Sequence, residues 1–139
     1  MAAVGLEQRL RGPVTTFAAV AAATGALLLR DPHRHASWGL CPFKLVTGWD
    51  CPACGGLRAV NDLGRGDVLA AWHSNAVFVT AVPFLVLGWL WWLHRSWTGT
   101  PRRRLPIAAQ HTLIGIGATV VVAFTVWRNT PWGEAFHVA

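Results

Sequence analysis

Charge is what this chain has least of. Only 13% of its 139 residues are Asp, Glu, Lys or Arg, while 53% are hydrophobic; an average soluble domain is roughly 25% charged. A soluble chain of this length has too little interior to hide so much apolar surface, and the bilayer is the natural place for it. Three runs hold no Asp, Glu, Lys or Arg: residues 14–29, 68–93 and 105–127. Proton relays and ion pathways usually leave an ionisable group at mid-membrane. Here the third run offers only Gln110 and His111, both near one end, which argues against a pump or secondary transporter. No carboxylate pair, Ser-His-Asp set or phosphate-binding loop is visible, so no catalytic residue is assigned and a non-enzyme is expected. Cysteine is also scarce, at three residues, an odd number that cannot all pair within the chain. The net charge of +6 does not signal a nucleic-acid partner, because the arginines and lysines punctuate the ends of apolar runs instead of gathering on one polar face.

What is present reads as an all-α membrane protein of one unit with three spans, at about residues 14–30, 68–93 and 105–127, and a Cys-rich loop over 31–67. The first run covers roughly 24 Å at helical rise, short for a core near 30 Å, with Pro13 suited to the first turn of its helix. A cleaved signal peptide has a similar layout, but Asp31-Pro32-His33 is a poor exit site. The residues before Cys41 fit a lipoprotein signal badly, and an uncleaved span is expected. The second run is roughly 39 Å long as one helix, so it tilts or starts outside the hydrocarbon. Asp67 is a good N-cap for it, His73, Ser74 and Asn75 fall in its opening turns, and Pro83 predicts a kink. In the third run, Gly115 lies about one turn from Ala118 and Thr119, which lets another helix approach closely. Trp89, Trp91, Trp92, Trp97, Trp127 and Trp132 mark span ends as headgroup-level belts, and need no cofactor to explain them. Lipid and other membrane proteins are the expected partners. Arg and Lys counts on the two sides of three spans are equal; the density of Arg102, Arg103 and Arg104 against the third span places the N-terminus inside and the Cys loop outside.

The loop carries the chemistry. Cys51-Pro52-Ala53-Cys54 followed by Gly55 predicts a helix start, with Cys51 near the N-cap, Pro52 at the first helical position and both sulfurs near the positive end of the dipole, where thiolate is favoured. Leu57, Val60 and Leu63 share one apolar face, which predicts a short amphipathic helix over 52–63, re-entrant or interfacial. Three uses of the thiols compete. One is a disulfide from Cys41 to Cys51 or Cys54, in an oxidising compartment. Another is a metal site with Cys41, Cys51 and Cys54 as soft ligands, His33, His35 or His73 as a fourth, and zinc as the ion. The last is redox exchange through Cys51 and Cys54. Haem attachment fails because Gly55, not histidine, follows Cys54. His73, His94 and His111 read as interface or packing residues.

Cys41-Pro42-Phe43, Thr47-Gly48, Cys51-Pro52-x-Cys54-Gly55, Arg58-Ala59, Gly66-Asp67 and Asn75 resemble the DUF2752 family of small bacterial membrane proteins over roughly residues 38–85. Gly56-Leu57 departs from the more usual Leu-Thr before the arginine, which alters the helix face and no cysteine. The resemblance implies two or three spans, a bacterial plasma membrane and the cysteines as motif residues; it implies no reaction. Ala-, Arg- and Trp-rich usage looks actinobacterial. Small-residue faces and many tryptophans are what a helix bundle uses to pack on other helices. The expected function is thus a non-catalytic accessory or assembly subunit of a larger membrane complex, with a respiratory complex of the cytochrome bc and oxidase kind as a candidate. A metal-binding membrane protein and a membrane thiol-redox protein are the alternatives.

Overall fold

The computed structural model describes residues 5–34, 41–101 and 105–136. His35 and the Arg102–Arg104 cluster lie outside the described residues. The chain is helical throughout its regular structure, in the order α1 (Leu6–Leu29), α2 (Pro42–Thr47), α3 (Gly56–Gly64), α4 (Val68–Thr98) and α5 (Ile107–Arg128), closed by a 3-10 helix at Pro131–Phe136; the described residues contain no strand. α1, α4 and α5 are each long and apolar enough to cross a membrane, so the chain fits a multi-pass membrane protein.

α1 begins at Leu6, ahead of the apolar run, so that Pro13 sits inside the helix and not in its first turn. The reason is local: Glu7, Arg9 and Arg11 are good helix formers, and an extra polar turn can stand in the headgroup layer. Pro13 is buried, and its carbonyl accepts a hydrogen bond from Trp89 Nε1 at 3.1 Å. The Phe17 and Trp89 rings pack 5.5 Å apart, which ties the start of α1 to the later part of α4. α1 and α4 therefore run antiparallel.

α4 is broken at Asn75, ahead of Pro83, which lies inside the helix. Asn75 leaves the helical region, with φ −163° and ψ 94°. Its extended backbone ends one helical segment, and its Oδ1 accepts from the Phe78 amide at 2.9 Å. That is an N-cap for the segment that follows. Asp67 caps the preceding segment as expected, through the Ala70 amide at 2.8 Å. α5 stands clear of α1 and α4 over most of its length, with Ile107, Leu113, Ile114, Ile116 and Val122 all exposed; its attachment is at its C-terminal end.

Candidate metal centre

The described part of the Cys-rich loop folds against one end of the bundle. Cys41 is the N-cap of α2, with Pro42 fixing the first turn. Cys51 to Gly55 form a tight turn, closed by bonds from the Cys54 amide to the Cys51 carbonyl (3.0 Å) and from the Gly56 amide to the Ala53 carbonyl (2.9 Å). Gly55 caps α3 at a left-handed φ of 80°, where a side chain would be strained. This corrects the expected helix start at Pro52: the left-handed Gly55 separates the cysteines from the helix, so neither Cys51 nor Cys54 lies in its first turn.

The three sulfurs converge. Cys41 Sγ lies 3.4 Å from Cys51 Sγ, and Cys51 Sγ lies 2.9 Å from Cys54 Sγ. All three atoms are within 4.8 Å of one another, and all three cysteines are free thiols. Zinc–sulfur bonds of about 2.3 Å in a tetrahedron need sulfurs about 3.8 Å apart. The two close pairs would spread by less than an ångström to accept such an ion. Among the described residues no histidine joins the cluster. His33 is engaged elsewhere, its Nε2 2.7 Å from Asp62 Oδ1, and His73 stands outside the sulfur group.

Residues from α4 and α5 hold the turn. Asn75, 2% exposed, donates from Nδ2 to the Pro52 carbonyl (2.8 Å) and to the Cys54 carbonyl (3.2 Å). Arg128, fully buried at the end of α5, donates from Nη1 to the Cys54 carbonyl (2.8 Å) and the Cys51 carbonyl (3.4 Å). Its guanidinium also faces the Phe124 ring at 5.7 Å and lies 4.0 Å from buried Asp50. Asn129 grips the backbone of Asp50 twice: its Oδ1 accepts from the Asp50 amide at 2.9 Å and its Nδ2 donates to the Asp50 carbonyl at 3.0 Å. Lys44 completes the ring, with Nζ 3.0 Å from Asp50 Oδ1.

α3 follows the turn with its polar face toward the bundle. Ala59, Asn61 and Asp62 are buried while Leu57 is 47% exposed. The polar face turns inward because it has partners there. Asn61 Nδ2 donates to the Leu27 carbonyl at the end of α1 (2.6 Å), and its Oδ1 accepts from Arg65 Nε (2.8 Å). Asp62 receives Ser74 Oγ at 2.9 Å as well as His33. Outside, Phe43, Leu45, Val46 and Trp49 of the α2 region are exposed beside the thiols, as suits a membrane surface.

The thiols are not equivalent. Burial pushes the Cys54 thiol up to about 12, and the neighbouring Cys51 and Cys41 sulfurs add to the rise. Cys41 is held below the ordinary thiol value, chiefly by the backbone amide of Lys44 in the first turn of α2. The thiolate-favouring helix end thus belongs to Cys41 and α2, not to Cys51, Cys54 and α3.

Sequence reasoning named the three cysteines and Asn75 but assigned Asn75 no role. Arg128 is the first ionisable residue after the uncharged run 105–127, the one signal in the sequence that marks it. Nothing local marks Asp50 and Asn129 as partners across 79 residues.

Residues 41–89 match the family model of DUF2752, a protein of unknown function. The match covers the loop and most of α4, the region that carries the sulfurs and Asn75. No curated protein and no solved structure matches the chain.

Proposed function

We propose that this is a membrane-resident metal-binding protein in which Cys41, Cys51 and Cys54 hold one soft divalent ion, zinc first among the candidates. The observation that carries this reading is the convergence of three sulfurs within 4.8 Å on a turn whose carbonyls are pinned by two different spans. Charge supports it too. Three thiolates around a divalent ion leave one net negative charge, and Arg128, Lys44 and Asp50 beside them leave one net positive. The ion would act as a structural clasp, its binding energy adding to that of folding, with the fourth position left to water or to a donor beyond the described residues. Elemental analysis of protein purified without chelator, beside the Cys54→Ser variant, tests it. About one zinc per chain, lost in the variant, is expected. No metal, with two thiols resisting alkylation until a reductant is added, would establish the disulfide instead.

A second reading, that of an accessory or assembly subunit in a larger complex such as a respiratory one of the cytochrome bc and oxidase kind, draws on α5. That helix exposes its apolar length and, among the described residues, packs on the rest of the fold at its C-terminal end, which leaves a face for other membrane helices. Mild-detergent purification should then give a large co-migrating complex. A bacterial plasma membrane follows from the resemblance. The density of Arg102–Arg104 favours the cysteine face on the outer side.

A further inference from the structure

At the end of the bundle opposite the cysteines, α1 and α4 leave a cleft of about 570 Å³. Trp89, Trp91 and Trp92 line it with Arg9, Arg95 and Gly99, and among the described residues no acidic one does. Arg9 reaches across from α1 until its guanidinium lies against Gly99, where the left-handed φ of 72° and the missing Cβ leave room. Its Nε is sheltered and has no hydrogen-bond acceptor among the described residues. Arg95 lies 4.6 Å over the Trp91 ring and makes one long bond, 3.5 Å, to the Thr100 carbonyl.

Two guanidiniums therefore face a recess to which the described residues supply no countercharge, and one keeps an unused donor. Arginine forks match phosphate oxygens, and basic recesses at span ends take anionic headgroups. The recess also sits in a belt of indoles, at headgroup depth. From it the apolar face of α4 descends through exposed Leu87 and Phe84, and Gly88 meets nothing where a side chain would stand. The geometry points to a bound anionic phospholipid, its phosphate between Arg9 and Arg95 and its acyl chains along α4. This site is independent of the thiols.

The test is titration of the full chain in neutral detergent with phosphatidylglycerol or phosphatidylcholine, read by tryptophan emission. Saturable binding of phosphatidylglycerol is expected, at least tenfold tighter than phosphatidylcholine. Arg9→Gln/Arg95→Gln should abolish that preference, Arg9→Lys/Arg95→Lys should retain part of it, and Arg11→Gln, exposed and outside the cleft, should leave it unchanged. Equal affinity for the two lipids, or an unaltered preference in the double Gln variant at unchanged helicity, overturns the proposal. Competition by millimolar inorganic phosphate also overturns it, in favour of a small-anion site.

Discussion

Arg128 Nη1 donates to the Cys54 carbonyl oxygen at 2.8 Å, so the last helical residue of α5 holds the turn that carries two of the three thiols. The bond spans 74 residues of sequence and, with the two Asn129–Asp50 bonds, joins the end of α5 to the Cys-rich loop. Replacing Arg128 by Met should cost roughly 2–4 kcal/mol, because Asp50 is left buried with one cation fewer and the Cys51 and Cys54 carbonyls each lose one of two donors. Thermal unfolding in detergent reads the loss. Faster alkylation of Cys54 in the variant reads the loosened turn.

Asn75 does two separable jobs, and substitutions tell them apart. Asn75→Ala removes both the Phe78 cap and the grip on Pro52 and Cys54, for a loss of about 2–3 kcal/mol. Asn75→Asp keeps a capping oxygen but offers no donor and sets a carboxylate against two carbonyls. It should retain the helicity of α4 while exposing the thiols. Circular dichroism paired with thiol titration separates the outcomes; a helix lost equally in both variants would contradict the division of roles.

The thiols should react in order. Cys41, held below the ordinary thiol value, should be alkylated before Cys54 near neutral pH, because thiolate is the nucleophile. Mass mapping after a short iodoacetamide pulse decides this in metal-free protein, and zinc should protect all three sites.

The same contrast fixes an alkaline limit. Cys54 has its folded-state value raised from 9.0 to about 12. The unfolded chain therefore loses its proton first as pH rises, and stability present below about pH 9 declines from there up to about 12. Metal-free protein should show a falling melting temperature over that interval, and Cys54→Ala should flatten it. Loading zinc must displace the Cys54 proton, so apparent affinity should rise about tenfold per pH unit below that range on this account alone.

Asp62 is the meeting point of His33 and Ser74, two hydrogen bonds to one nearly buried carboxylate. Asp62→Asn should cost about 1–3 kcal/mol, and Ser74→Ala less. The double variant should cost less than the sum of the two if the bonds are coupled. Chemical denaturation of the four proteins closes the cycle.

The spans were legible because uncharged runs of that length have few other homes. Their ends were less so: hydropathy does not register Glu7, Arg9 and Arg11, yet they extend α1 by helix propensity. The cysteines were legible as a cluster by chemistry, and their convergence by nothing local, since Cys41 is brought in by α2, a helix too short to leave a periodic signal. Pro83 is the obvious kink signal, whereas the break at Asn75, which gains three hydrogen bonds by leaving the helix, carries no such mark in the sequence. For α3 the 3–4 spacing of Leu57, Val60 and Leu63 identified the apolar face correctly. Which way that face points depends on partners 12 to 34 residues distant.

With Asp50, Asn61 and Asp62 sealed inside and Phe43, Leu45 and Leu57 looking outward, residues 41–67 are assembled for surroundings of low polarity. Cut free as a water-borne peptide, residues 41–67 would turn inside out, scattering the sulfurs. The membrane is therefore a part of the thiol cluster's scaffold and not merely its address.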